Sequence, residues 1–245
     1  MVPKQLHGLL LINKEAGASS FDVLRQLKKV LGFRTKIGHA GTLDPFATGL
    51  LIVCLGRATK LVPLLMDVAK GYQVLAHFGY LTDTLDNTGT VLQKSQIPPD
   101  FENIIHTAIE QLGTQYKQTP PVFSALKHNG NPLYQLAREQ IFDEEALAQL
   151  AQDKARWVII HKLIIDQIQS PTLSFSCEVS KGTYIRSLAD DLAQKINLRA
   201  TTEKLHRTFI GPFAVTDAKK STEFKNRQHV EQMLIDVEKA KALLA

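Results

Sequence analysis

Twelve residues, Gly38 to Gly49 (GHAGTLDPFATG), gather three glycines, one proline and one carboxylate, Asp44. Glycine allows backbone angles and close approaches that other residues resist. The apolar run that follows, Leu50 to Leu55, is short and partly β-branched, the pattern of a buried strand. Asp44 is therefore expected on a tight loop fastened to the core, a usual place for side chains that do chemistry. A carboxylate there can act as a covalent nucleophile. The plainer reading makes Asp44 the N-cap and Pro45 the first residue of a helix. That accounts for Asp-Pro but not for Gly38, Gly41 and Gly49 around it. A carboxylate taken out of water is pushed toward its neutral form unless a cation stands nearby. Arg186 is a candidate cation: it falls in the first turn of a predicted helix, residues 185–196, off the apolar stripe, where the helix dipole disfavours it. Plain solvent exposure is the alternative. His39, isolated on the loop, reads on pattern alone as a structural hydrogen-bonder.

The elements that must hold these residues are readable in outline. A chain of 245 residues can bury a substantial core, as one domain or two. Its 44% hydrophobic and 22% charged residues are ordinary for a globular protein. No apolar run reaches membrane-spanning length and the N-terminus lacks a signal-peptide pattern, so a cytoplasmic protein without membrane contact is expected. A net charge of +5 leans toward a polyanionic partner. Cys54 and Cys177 lie in apolar strand patterns and read as core residues. Leu9–Ile12 reads as a strand. Ser19 is expected to cap a helix, with Asp22 closing a weak capping box, a stripe of Phe21, Leu24, Leu27, Lys28 and Leu31, and Gly32 at its end. Arg25 and Lys29 read as a solvated face, whereas Arg34 and Lys36 beside the loop suit phosphate contact.

Farther along, Tyr72, Val74, Ala76 and Phe78 share one face of a strand, where Tyr72 is on pattern a packing aromatic. Thr82–Gly89 reads as a turn, since its spacing is not that of a calcium loop. Asp100 is expected to cap a helix with the stripe Phe101, Ile104, Ile105, Ala108, Ile109 and Leu112, stopped by Gly113. Tyr116–Gly130 is a polar surface excursion, followed by a helical stretch from Pro132 to about Gln140. Arg156–Gln169 and Thr172–Ser180 suit strands of an antiparallel sheet with unlike faces. Thr201–Phe209 and Phe213–Val215 read as final strands, and Gln228–Leu244 as one amphipathic helix.

Together these motifs carry a resemblance. GHAGTLDPFATGLL resembles the catalytic motif of the TruB-type tRNA pseudouridine synthases. LLLINKEAGASS (Leu9–Ser20) resembles that family's N-terminal Lys-x-x-Gly segment, and KGYQVLAHFG (Lys70–Gly79) the strand that carries its active-site tyrosine. LTDTLDNTG, PPVFSALKHNG and SKGTYIRSLADDL match in the same order, so that the resemblance covers about residues 8–215. It implies Asp44 as nucleophile, Tyr72 stacked on the target base with a hydroxyl able to move a proton, and Arg186 as the cation for Asp44. It also implies Tyr184 near the same site, His39 against the extruded nucleotide, Leu205 (in KLHR) covering the base pocket, and Lys14 as a structural or phosphate-facing group. The implied reaction is isomerisation of a uridine in RNA to pseudouridine on a flipped-out nucleotide, most specifically uridine 55 in the T loop of tRNA. Breaking the N-glycosidic bond and rejoining the same base through carbon needs no cofactor and no metal. The sequence holds no Walker pattern, GxGxxG, HExxH or zinc-type Cys/His cluster. Whether Asp44 attacks the base or the sugar carbon stays open.

The expected fold is α+β: a mixed, largely antiparallel sheet flanked by helices, with an RNA-gripping insertion at about 116–146. A catalytic domain is expected over 1–217 and a helical tail over 218–245, without the full PUA-type RNA-binding domain into which bacterial members usually continue. The expected partner is the T arm of tRNA, bound by a monomer with no small-molecule cofactor. Two rival readings remain. A non-catalytic RNA-binding or RNA-folding module would use Gly38–Gly41 as a KH-type GXXG loop, but here that loop leads to Leu43-Asp44-Pro45 and not to a basic, apolar helix. A carboxylate hydrolase would want a second acid; Asp83 and Asp86 are available without a matching motif.

Overall fold

The computed structural model describes residues 5–244. Contacts divide the chain into two compact units, residues 1–72 with 206–245, and residues 73–205. The first unit opens with β1 (Gly8–Lys14), α1 (Ser20–Leu31), β2 (Ile37–His39), β3 (Thr48–Leu55), α2 (Val62–Asp67) and β4 (Lys70–Phe78). β4 runs on into the second unit. There follow β5 (Tyr80–Thr82), β6 (Val91–Lys94), α3 (Phe101–Leu112), β7 (Gln115–Gln118), β8 (Lys127–His128), β9 (Asn131–Pro132), α4 (Leu133–Arg138), α5 (Glu144–Gln152), β10 (Arg156–Gln169), β11 (Thr172–Val179) and α6 (Ile185–Gln194). β12 (Ala200–Ile210) returns the chain to the first unit, which closes with β13 (Phe213–Ala214), β14 (Lys219–Lys220), α7 (Arg227–Gln232) and α8 (Val237–Leu244). The α+β reading holds, with a large mixed, mostly antiparallel sheet and helices packed on it. Among the described residues, no helix is long and apolar enough to cross a membrane.

In the first unit the strand order is β14-β1-β3-β12-β4. β3 is buried on both faces, as its unbroken apolar run predicts. Leu50, Ile52 and Cys54 pack with Leu9, Leu11, Leu65 and Phe213 on one side. Leu51, Val53 and Leu55 pack with Leu10, Ile12 and the inner face of α1 on the other. β1 pairs antiparallel with β3, from Gly8 opposite Leu55 to Lys14 opposite Gly49. β12 pairs parallel with β3, setting Arg207 beside Gly49. The register thus places Lys14 and Arg207 on either side of Gly49, where the Asp44 loop enters β3.

The capping box of α1 is complete: the Ser19 hydroxyl accepts the Asp22 N–H at 3.1 Å and the Asp22 carboxylate accepts the Ser19 N–H at 2.9 Å. The helix is rotated from the predicted stripe. Ser20, Val23, Leu24, Leu27 and Leu31 are buried, and Phe21 is 66% exposed. The predicted C-terminal helix is two short ones. Between them Ile235 exchanges backbone hydrogen bonds with Leu9 at 2.8 and 2.9 Å, and the Asp236 carboxylate then accepts the N–H groups of Glu238 and Lys239 to start α8. A strand-like bridge takes the backbone groups that a continuous helix would need.

In the second unit the order is β12-β4-β11-β10-β7, with β10 antiparallel to both β11 and β7. Leu173, Phe175, Cys177 and Val179 alternate into the core, and α6 buries Ile185, Leu188, Ala189 and Leu192. Asp100 precedes α3 but makes no side-chain cap; its ψ of 27° is not the extended backbone a cap needs. α5 escaped the sequence reading although its signal is present: Asp143 accepts the Ala146 N–H at 2.8 Å, with Glu144 and Glu145 in the first turn. With α4 it gives the insertion a small core of Leu133, Leu136 and Leu147.

Candidate active site

Asp44 lies in a β-turn and not at the head of a helix. The Ala47 N–H donates to the Asp44 carbonyl at 3.1 Å, with Pro45 at the second position of the turn. Side chains hold the backbone of this loop almost residue by residue. Arg207 is 1% exposed and donates to three carbonyls: Gly41 and Thr42 at 3.2 Å, and Leu50 at 2.7 Å. The Ser20 hydroxyl accepts the Leu43 N–H at 3.0 Å and donates to the Leu43 carbonyl at 3.1 Å. Lys14, also 1% exposed, donates to the carbonyls of Glu15, Ala18 and Pro45 at 3.0, 2.8 and 3.3 Å. An ammonium has three donors, and these carbonyls take all of them. The peptides on both sides of Asp44 are fixed, so its carboxylate starts from a defined position.

Two glycines make this possible. Gly41 has φ +94°, open to glycine at little cost, and a Cβ on Gly49 would lie 2.3 Å from the Arg207 carbonyl oxygen. Burial pulls the Lys14 pKa down to about 8, against the raising effect of the Asp44 charge and with the lowering effect of Arg207. Of the two roles expected for Lys14, its contacts are those of the structural one. Burial first, and Arg207 second, hold the His39 pKa below its ordinary value, which favours a neutral imidazole; Phe21 meets that ring edge-on at 5.7 Å. Tyr72 is buried in β4, 8% exposed.

Arg186, Tyr184 and Leu205 belong to the second unit. Arg186 is 3% exposed, so the solvent-facing alternative is wrong. Its guanidinium donates to the carbonyls of Thr84 at 2.6 Å and Phe123 at 2.9 Å and faces the Asp86 carboxylate at 3.6 Å. The Thr82–Gly89 turn is therefore more than punctuation. Asp86 is itself buried and accepts from Thr84 and Thr88, which hold it toward the arginine. Tyr184 occupies the N-cap position of α6, with the Arg156 guanidinium over its ring at 5.4 Å. Leu205 is buried on β12.

Arg207 and Ser20 were not singled out from sequence, and Asp86 was named only as a spare acid for the hydrolase reading. Arg207 left one trace: it shares a strand face with Leu205, and an arginine at an inward position of an alternating strand must be paired with something. Ser20 carries the ordinary signature of a helix start, and Asp86 that of a turn, so neither could be told apart from sequence alone.

Comparisons with known proteins place this fold and loop in a family. A family model described as "TruB family pseudouridylate synthase (N terminal domain)" matches residues 28–185. A protein named tRNA pseudouridine synthase B from Protochlamydia amoebophila is 40% identical over 234 residues, which is 95% of this chain and 85% of that one. One of the same name from Geotalea uraniireducens is 38% identical over 217 residues, 87% of this chain; the match spans 66% of the relative's length. Among solved structures, a Cbf5-Nop10-Gar1 complex aligns with TM-score 0.68 at 24% identity, covering 96% of this chain and 61% of that one. An H/ACA RNP bound to a substrate RNA containing 2'-deoxyuridine aligns at 0.64 and 23%, covering 96% and 58%; these two show likeness of fold. The chain belongs to the TruB family of pseudouridylate synthases.

Proposed function

We propose that the chain isomerises a uridine of tRNA to pseudouridine, specifically uridine 55 of the T loop, as a cytoplasmic monomer using neither metal nor cofactor. The observation that carries this reading is the Asp44 loop: one carboxylate on a backbone pinned before and after it, within the family's motif. The relatives' names supply the substrate class. In this reading Asp44 is the covalent nucleophile. The flipped-out uridine stacks on Tyr72, whose hydroxyl moves a proton. Arg186 supplies the cation that keeps the carboxylate ionised, with Tyr184 at the same site. Neutral His39 meets the extruded nucleotide and Leu205 covers the base. A backbone fixed before substrate arrives needs no reorganisation during the reaction, a contribution of the positioning kind.

The test is incubation with an unmodified tRNA transcript, without added cofactor, followed by mapping of pseudouridine. Product at position 55 is expected; product elsewhere, or none, overturns the reading. Asp44→Asn keeps the shape of the side chain and removes the nucleophile, so product should vanish while RNA binding stays within about threefold, under 1 kcal/mol.

A further inference from the structure

The first turn of α6 is tied to β7, and to the segment that leaves it, by buried side chains within the second unit. Gln118 is 2% exposed and pairs twice with the backbone of Tyr184. Its Oε1 accepts the Tyr184 N–H at 2.7 Å, and its Nε2 donates to the Tyr184 carbonyl at 3.2 Å. The same Nε2 donates to the Tyr116 hydroxyl at 2.7 Å and approaches Asp191 Oδ2 at 3.4 Å. Tyr116 in turn donates to Asp191 Oδ2 at 2.9 Å. Alongside, Ser187 donates to the Thr119 carbonyl at 2.9 Å and Arg186 to the Phe123 carbonyl at 2.9 Å. Residues 184, 186 and 187 of the turn are thus each bound to the chain between 118 and 123.

The direction of the chain of hydrogen bonds matters. An amide side chain has nearly the same shape turned over, and only its partners fix which way it lies. An ionised carboxylate can only accept, so Asp191 takes the one hydroxyl proton of Tyr116. Tyr116 is left to accept, and Nε2 of Gln118 must face it. Oε1 then meets the Tyr184 N–H. Reversed, the amide would set Nε2 against that N–H, donor to donor. The Tyr184 N–H at one end and Asp191, acting through Tyr116, at the other therefore demand the same orientation of the amide, and with it the seat of the residue before Ile185-Arg186.

We propose that Gln118 is a positioning residue for the isomerisation, holding Tyr184 and Arg186 in register with the 119–123 segment through an amide that Tyr116 and Asp191 lock against the Tyr184 backbone. This rests on the functional reading given above. Gln118 acts through the backbone of Tyr184. Because β7 leads into the insertion, the same anchor couples the insertion to the turn that carries Arg186.

The test compares single-turnover rates and half-saturating enzyme concentrations on a tRNA transcript for wild type, Gln118→Ala, Tyr116→Phe and the double variant. Gln118→Ala should lower the maximal rate about 30-fold and Tyr116→Phe about tenfold, both with half-saturation within about threefold, the split expected when binding is intact. The double variant should be no slower than Gln118→Ala alone, because Tyr116 acts on the Tyr184 backbone through Gln118. A double variant slowed by the product of the two single effects overturns the proposal. So does a Tyr116→Phe rate within about twofold of wild type, or a change confined to half-saturation. Should Gln118→Ala not fold, Tyr116→Phe, which keeps the ring, decides the matter by its own rate. Wild-type protein that makes no pseudouridine overturns the functional reading instead. The anchor is then read from amide hydrogen exchange at Tyr184, about tenfold faster in Tyr116→Phe if the relay holds it and unchanged if it does not.

Discussion

The Asp44 loop of the first unit and the Tyr184 turn of the second are both irregular segments held by side chains, but by opposite means. The loop is held by buried cations: Lys14 and Arg207 spend six donors on main-chain carbonyls. The turn is held by a neutral amide locked between the Tyr184 backbone and a largely buried acid. A guanidinium or ammonium buried among carbonyls has only acceptors around it, so it needs no second group to orient it. An amide is a donor at one end and an acceptor at the other, and its direction must suit every neighbour: the Tyr184 N–H takes Oε1, and Tyr116 and Asp191 take Nε2. Cationic anchors hold by charge alone, whereas the amide anchor holds through a lock that a more distant group supplies.

The largest expected effect comes from removing a cationic anchor. Arg207→Ala leaves the carbonyls of Gly41, Thr42 and Leu50 without that donor, and each unsatisfied buried group costs about 1–3 kcal/mol. A loss of about 3–5 kcal/mol is expected, measured by urea denaturation, against about 2 kcal/mol for Gln118→Ala. Equal losses would break the distinction between the two kinds of anchor.

The two anchors also respond to pH with opposite signs. Burial, the largest influence on Asp191, raises its pKa from 3.8 to about 6, with Asp190 adding and Tyr116, Gln118 and Lys195 opposing. The folded state then holds a proton that the unfolded state releases. Stability from this group is fully present below pH 3.8 and lost as pH rises to about 6. Asp191→Asn removes that loss, so it should stabilise the protein at pH 7.5 by about 2–3 kcal/mol while slowing the reaction. Thermal melts of both proteins across pH 4–8 check it; a variant less stable than wild type at pH 7.5 contradicts the sign.

Lys14 runs the other way. Its pKa falls from 10.5 to about 8, chiefly through burial, so the folded state sheds its proton first and stability from this group rises with pH between those values. Yet the neutral amine has one donor too few for its three carbonyls. Activity should therefore fall above about pH 8 while the fold tightens. The carbon-13 shift of Lys14 Cε, followed against pH, gives the titration directly. A midpoint at 10 or above would remove Lys14 as the source of the alkaline limb.

Much of this arrangement was legible before the structure, and the rest fails to show for physical reasons. β3, β11 and the stripe of α6 follow from periodicity because each buries a whole face, and β10, which buries only Val158 and Ile160, follows from its wealth of Val and Ile. The Asp44 loop stood out because glycines cluster only where the backbone demands them. The anchors did not stand out. Gln118, Ser20 and Asp86 work through polar contacts to residues tens of positions away, and pattern along the chain carries no record of such partners. The broken C-terminal helix was hidden likewise, since its break is made by Leu9.

The smallest expected effect separates two neighbouring serines. Ser19 caps α1 and its hydroxyl engages only Asp22, so Ser19→Ala should cost about 1 kcal/mol of stability, the usual value of an N-cap. Ser20 sits one residue on, faces inward, and binds both the N–H and the carbonyl of Leu43, next to Asp44. Ser20→Ala should cost a similar amount, about 1–2 kcal/mol, by leaving those two groups without the hydroxyl. The difference lies in the reaction. Ser19→Ala disturbs the start of a helix and should leave the single-turnover rate within about twofold, because the loop keeps its anchors. Ser20→Ala frees the residue before the nucleophile and should slow the reaction about tenfold at unchanged RNA affinity. Equal rates for the two variants would mean that Lys14 and Arg207 alone hold the loop, and that the cationic anchors need no help from a neutral one.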